Sequence, residues 1–255
     1  MLYFHSHHKC ASRWASAYLR EVADLNLLSY AHDDKTDRIA PNAANFVFFG
    51  NSTYERSVDG KLWGVHFVRN PLNLIVSAYF SHLNTHPDTG WPELATQRRL
   101  LRSIGLLEGL YLTIAFLERA DIGPGTAGPL HALRSWDYDD SRFKTVRIED
   151  FVAAPSEAVR EMLPLARPIL PVDWRYAFEA FSGGRPPGWV NDQSHYRSGD
   201  PEEWRKHVPR EIVAYVQATL PSLLAQAYPE LLTVSTVSPG ETLPGTRTLA
   251  ASSAG

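Results

Sequence analysis

Cysteine is nearly absent. The 255 residues contain one, Cys10, so no disulfide can form within the chain, which suits a reducing compartment. Long apolar runs are missing too: no stretch approaches the roughly 18 consecutive apolar residues that suggest a membrane span. Polar histidines interrupt the amino-terminal segment at once, unlike the apolar core of a secretory leader. The expectation is a soluble, cytoplasmic protein with no membrane partner. No excess of positive charge exists either. A net charge of −3 argues against a broad nucleic-acid surface, although it permits a local cationic pocket. Glycine is absent from Met1 to Phe49, which excludes a G-x-x-x-x-G-K-[ST] phosphate loop there. There is no internal repeat.

What is present suits one α/β domain. Hydrophobic residues make up 44% and charged residues 21%, enough apolar material to bury a full core. Leu2–Phe4 reads as a first strand. Trp14, Tyr18, Val22 and Leu25 then recur at helical spacing, with Ser12 placed to cap the helix. Leu27–Tyr30, Phe46–Phe49, Leu62–Val68 and Thr145–Ile148 read as further strands, Leu62–Val68 being almost continuously apolar, as buried parallel strands are. Asn70 and Pro71 suit the cap and first position of a helix carrying Leu72, Ile75, Tyr79 and Leu83 on one face. Gln97–Ala120 reads as one long helix with Leu100, Ile104, Leu107, Tyr111 and Ile114 turned to the core. Ser156–Leu163, Trp174–Phe181 and Arg210–Ala227 are further helices, and Asp200, Pro201 and Glu203 form a capping-box pattern. The alternation implies a three-layer sandwich around a central, mostly parallel sheet. Residues 1–236 form a single domain on this reading, and the small, polar 237–255 tail is disordered.

The opening loop, FHSHHKCASRW from Phe4 to Trp14, admits three kinds of chemistry. His5, His7 and His8 could hold a metal, but the loop has no carboxylate. Cys10 could be a nucleophile, but a cysteine phosphatase needs an arginine six positions on, where Ser16 stands. The third is an anion cradle: strand, short turn with a lysine, helix start, and free N–H groups aimed at the anion. Two later segments could join it. Arg69 ends a strand with Ser77 two helical turns on, and Tyr196–Gly199 sets an arginine before a glycine turn.

These three segments together are similar to the motifs of sulfotransferases that use 3′-phosphoadenosine 5′-phosphosulfate (PAPS). KCASRW (Lys9–Trp14) resembles the family's K-[ST]-G-[ST]-[ST]-W loop. RNPLNLIVS (Arg69–Ser77) resembles its R-[ND]-P…S pattern, and RSGDPEEW (Arg197–Trp204) its R-[KS]-G segment followed by an acid and a tryptophan. IEDF (Ile148–Phe151) is similar to its [YF]-E-D-[LF] segment. The landmarks span about 200 residues, loosely similar in between. The resemblance implies a P-loop nucleotide-kinase-like sulfotransferase fold, with Lys9 against the sulfuryl group and the bridging oxygen. Cys10, Ala11, Ser12 and Arg13 would line the 5′-phosphosulfate, and Trp14 would stack on or near adenine. Arg69 and Ser77 would bind the 3′-phosphate with Arg197, Ser198 and Gly199. Three positions depart from the pattern: Ala11 for glycine, Arg13 for a hydroxyl and Ile148 for tyrosine. Alanine resists the left-handed conformation, so the loop is expected to close differently.

The implied reaction moves a sulfuryl group from PAPS to a hydroxyl or phenol of a small-molecule acceptor, without a metal. Lys9 stabilises the leaving oxygen, and a base takes the acceptor's proton. The family's K-x-H histidine has no counterpart beside Gly50-Asn51-Ser52. Other members place a carboxylate after the strand that follows the first helix, which makes His32 and Asp33 the base candidates here. His7 and His8 flank Lys9 and stay open, as do His82 and His86 near the acceptor cleft; His66 reads as a core histidine. A PAPS-binding protein that has lost transfer, or a small-molecule kinase, are the alternatives.

Overall fold

A computed structural model describes residues 1–33, 44–88, 91–123, 125–163, 169–172 and 174–234. In chain order its elements are β1 Leu2–His5, α1 Ser12–Leu25, β2 Tyr30–Asp33, β3 Phe46–Phe49, α2 Tyr54–Asp59, β4 Gly64–Val68 and α3 Pro71–Phe80. After a π-helical turn (Ser81–Thr85) come α4 Pro92–Leu101, α5 Leu106–Leu117, α6 Pro129–Arg134, β5 Phe143–Arg147, α7 Ile148–Ala153 and α8 Pro155–Met162. The carboxyl-terminal part holds α9 Phe178–Ser182, a 3₁₀ turn at Glu203–Lys206, α10 Arg210–Thr219, α11 Pro221–Ala227 and α12 Pro229–Leu232.

The sheet has five parallel strands in the order β2-β3-β1-β4-β5. Strand alternation separates its two faces. Phe4, Phe46, Phe48, Val65 and Phe67 pack against Trp14, Tyr18, Leu19 and Val22 of α1 and against Phe151 of α7. Val68 turns the other way, into a second cluster with Leu72 and Ile75 of α3, Leu110 and Ile114 of α5, and α10–α11. Helices therefore cover both faces, as continuous apolar strands require. β1 lies mid-sheet, paired with β3 on one side and β4 on the other. The loops leaving β1 and β4 thus emerge side by side, where open α/β sheets bind ligands.

Several expected boundaries move for local reasons. Leu27 takes a left-handed φ of 56° while Leu28 N–H bonds Ala23 O at 2.8 Å, closing α1 and delaying β2 to Tyr30. The expected Gln97–Ala120 helix is two helices, broken before Gly105. Of its expected core stripe only Ile114 is buried; Leu100, Ile104, Leu107 and Tyr111 are exposed by 37–48%. Gly109, Leu110, Thr113 and Leu117 take the inward side instead, where Gly109 lets the Tyr79 ring approach. Pro221 divides the expected Arg210–Ala227 helix, and Trp174–Phe181 divides into a 3₁₀ turn and α9. The Asp200–Glu203 capping box does not form: only a 3₁₀ turn follows, and the Glu203 carboxylate bonds Arg197. The 237–255 tail lies outside the described residues.

Candidate functional site

The loop after β1 is held by its neighbours. Ser6 N–H bonds Phe49 O at 2.9 Å, Ser52 N–H bonds Ser6 O at 3.0 Å, and Cys10 N–H closes onto His7 O at 3.0 Å. Lys9 and Ala11 both adopt left-handed φ, 68° and 49°. This corrects the expectation for Ala11: alanine takes the turn that glycine would, at a cost of about 1–2 kcal/mol for a residue carrying Cβ. Cross-links offset it. Ser12 Oγ donates to His7 O at 2.9 Å, leaving Ser6 Oγ to donate to Ser12 Oγ at 3.0 Å. Ser12 is thus the first helical residue and Ala11 the cap position, another correction. No side chain caps α1 and no acid stands in its first turn, so its leading N–H groups are left for an anion.

Arg69 joins the second segment to the first, donating from Nη1 to Lys9 O at 2.7 Å. Asn70 caps α3 through its carbonyl, accepting from Leu72 N–H at 3.0 Å. The turn is fixed from behind: Glu149 Oε1 accepts from Asn70 N–H at 2.9 Å and Oε2 from Tyr228 O–H at 2.9 Å. That gives IEDF its place, as a strut under the RNP turn. The third segment docks on α3 through Asn73, which accepts from Trp204 N–H at 3.0 Å and donates to Pro201 O. Arg197 is thereby laid over the Phe80 ring, 3.5 Å from its centroid, three residues beyond the half-buried Ser77. Two carboxylates, Asp192 and Glu203, hold its guanidinium. Ser198 is buried and its hydroxyl accepts from Asp200 N–H at 3.2 Å.

Gly199 has a φ of 67°, and a Cβ added there would stand 2.7 Å from the Phe178 ring. Gly199→Ala is therefore expected to destabilise the fold by about 1–3 kcal/mol, through overpacking and a left-handed alanine. Urea unfolding would measure it, and an unchanged midpoint would contradict this placement.

Basic side chains gather around Lys9 despite the acidic chain. Lys9 is half-buried, and burial first, then Arg69 and Arg13, lower its ammonium to about 7. His8, His82, His86 and His195 surround it, all pushed below the usual imidazole value, chiefly by burial and then by Lys9 and one another; at His86 a hydrogen bond to Pro87 O opposes the fall. His8 and His82 face each other, Nε2 to Nε2, at 3.1 Å. A second pair, His7 and His66, lies deeper at 2.7 Å under the Trp136 ring, which stacks 3.6 Å from His66. His66 is thus a buried core residue, as its strand position suggested.

The loop suits nucleophile and metal chemistry less well. Cys10 is fully buried and its thiol is raised to about 12, chiefly by burial, far from a nucleophile's value. Among the described residues no group of three or more His, Cys, Asp or Glu is placed to hold a metal. Trp14 is only 4% exposed, stacked on Tyr18, with its indole N–H on Tyr176 O at 2.9 Å. That is a core position, with the indole packed behind the loop between Tyr18 and Tyr176. His32 and Asp33 end the edge strand β2, with β3 between them and β1. Two strand spacings separate them from β1, roughly 10 Å. His32 is exposed and edge-on to Phe48.

The His8–His82 contact and the Glu149–Tyr228 strut are not visible as pairs in the sequence, because both join residues over 70 positions apart. No family model matches the chain, and no curated protein matches it in sequence. Among solved structures, mouse sulfotransferase SULT7A1 complexed with PAP is similar, with a TM-score of 0.54 and 12% identity. The match covers 87% of this chain and 84% of that one. At that identity the likeness speaks to architecture, and the chain has the α/β sulfotransferase fold, a central parallel sheet flanked by helices.

Proposed function

We propose that the protein transfers a sulfuryl group from PAPS to a hydroxyl or phenol of a small-molecule acceptor, releasing the desulfated nucleotide PAP. The observation that carries this reading is convergence: Arg69 bonds the Lys9 carbonyl, and Asn73 docks the Arg197–Trp204 segment on the helix that follows Arg69. Three segments far apart in sequence, each carrying a residue suited to an anion, are thereby joined at one end of the sheet. The PAP in the similar mouse structure supports the choice of nucleotide.

Each residue has a part in this proposal. The N–H groups of Ala11 through Arg13 and the Arg13 side chain cradle the 5′-phosphosulfate, with Cys10 N–H holding the turn closed on His7 O. Lys9 sits against the bridging oxygen, where its ammonium meets the charge that develops as the S–O bond breaks. Arg69, Ser77, Arg197, Ser198 and Gly199 hold the 3′-phosphate. Arg197 must exchange Asp192 or Glu203 for the phosphate, a trade between like-charged partners. No metal is needed, because lysine and arginine supply the positive charge. Among the described residues no helix is long and apolar enough to cross a membrane.

The test is transfer of ³⁵S from labelled PAPS to a panel of simple phenols and alcohols. Labelled product from the wild type, and about a hundredfold less or lower from Lys9→Ala, is the expected result. A protein that binds PAPS but transfers no label fits the other reading, a nucleotide-binding protein that has lost the reaction. Preference for ATP with phosphoryl transfer would make it a small-molecule kinase.

A further inference from the structure

Resting on the sulfuryl-transfer reading, we propose that His8 takes the acceptor's hydroxyl proton at Nδ1, in a tautomer imposed on it by His82 and Gln97. Behind His8 lie buried polar atoms with nothing to bond. His82 is fully buried and Gln97 is 5% exposed. His82 Nδ1 and both amide heteroatoms of Gln97 lack a hydrogen bond within ordinary distance. The two residues adjoin, and the amide favours the protonated ring of His82, as a carbonyl oxygen accepting from Nδ1–H does. A small amide rotation satisfies both, and orphaned buried atoms make that pairing strongly preferred.

The consequence runs outward to the loop. With its proton on Nδ1, His82 presents a bare Nε2 to His8, 3.1 Å away. His8 must then donate from its own Nε2, which leaves His8 Nδ1 with a free lone pair. That atom has no protein partner among the described residues, and it belongs to the residue directly before Lys9. Base and leaving-group lysine are thereby neighbours on one turn. Arg98 fixes His82 from behind, its Nε bonding His82 O at 2.7 Å, and the π-helical turn sets His82 toward the loop. The groups that face His8 are Lys9, His82, His86, His195 and the Trp91 ring; no carboxylate is among them, so His8 rests neutral with its lone pair unprotonated.

In the transfer step the acceptor oxygen forms a bond to sulfur as the bond from sulfur to the nucleotide's bridging oxygen breaks. The acceptor's O–H proton passes to His8 Nδ1, while the His8 Nε2 proton can pass to His82 Nε2. The positive charge then rests on His82, whose Nδ1–H stays on the Gln97 carbonyl. His8 is a catalytic residue in this scheme; His82 and Gln97 are positioning residues.

Imidazole ¹⁵N–¹H correlation spectra of the full-length protein with PAP bound provide the test. Expected are a protonated Nδ1 on His82, a protonated Nε2 on His8, and reversal of the His82 tautomer in Gln97→Leu. His82 protonated at Nε2 in the wild type would overturn the proposal. In parallel, PAPS consumption is followed with 4-nitrophenol and with water as acceptors. His8→Ala should lower turnover by about 10²–10⁴-fold, regained in part with added imidazole, while PAP affinity stays within about threefold. Unchanged turnover in His8→Ala, or a wild type that binds PAP but consumes no PAPS, would also overturn it. His32→Ala, two strands from β1, should turn over like the wild type; if it alone were inactive, the base would be His32. Failure of the wild type to bind PAP would instead remove the sulfuryl-transfer reading beneath the proposal.

Discussion

Lys9→Ala is expected to lower sulfuryl transfer by about 10²–10³-fold, the usual cost of removing one preorganised charge from a developing oxyanion. PAP binding should weaken by no more than about tenfold, because the α1 N–H groups, Arg13 and Arg69 remain. The lysine's own titration makes the prediction sharper. Burial, then Arg69 and Arg13, lower its ammonium to about 7, so at pH 8 it is mostly neutral in the ligand-free protein. A bound anion restores the charged form, and binding must then draw a proton from solution. Calorimetry at pH 8 in buffers of different ionisation enthalpy should show uptake of a sizeable fraction of one proton, falling toward pH 6 and much reduced in Lys9→Ala. Equal uptake by the variant would assign the proton to the neighbouring imidazoles and not to Lys9. The same lowered ammonium bears on stability. The unfolded chain binds the extra proton between pH 7 and 10.5, so this group favours the native state increasingly as pH rises through that window.

Acid should unfold the protein early. His5 is lowered to about 4 and His7 to about 3, both chiefly by burial, with a Leu62 O hydrogen bond opposing the fall at His5. The unfolded chain protonates these rings near 6.5, so it binds more protons than the native state from pH 6.5 down to about 4. Their contribution is fully present above pH 6.5 and is lost as pH falls. A tenfold difference in proton affinity is worth about 1.4 kcal/mol, so each buried ring costs on the order of 2–3 kcal/mol by pH 4.5. His5 and His7 interact, so the sum is smaller than for two independent rings. A chain of this size loses about 2–4 °C in Tm per kcal/mol. Thermal unfolding at pH 7.5 and pH 5 should differ by about 10 °C. A flat profile over that range would mean the imidazoles are hydrated, and that the Trp136 stack on His66 is not the dry core described.

The sheet was legible because its strands are short apolar runs ended by polar turns, and the Asn70–Pro71 helix start because its chemistry is local. Periodicity failed where it was right about pattern but silent about side. Leu100, Ile104, Leu107 and Tyr111 keep helical spacing and yet face outward, since the opposite side of the hairpin offers Gly109 to the Tyr79 ring. Length failed too, because new helices start at Gly105 and Pro221 inside an apolar pattern that runs on without a break. At the site, Lys9, Arg69 and Arg197 were visible as motif residues, but not that Arg69 spends a bond on the Lys9 carbonyl or that Arg197 is held by two carboxylates. Nor could spacing show that Trp14 is sealed behind the loop by Tyr18 and Tyr176. Such pairings depend on the parallel sheet setting the β1 and β4 exits side by side, which no single segment records.

The most direct measurement is calorimetric titration of the purified protein with PAP, alongside ATP and the Arg69→Ala variant. The account predicts micromolar binding of PAP, feeble binding of ATP, and loss of PAP binding in Arg69→Ala, which gives up both a phosphate donor and the tie to the Lys9 carbonyl. No PAP binding by a folded wild-type protein would contradict it.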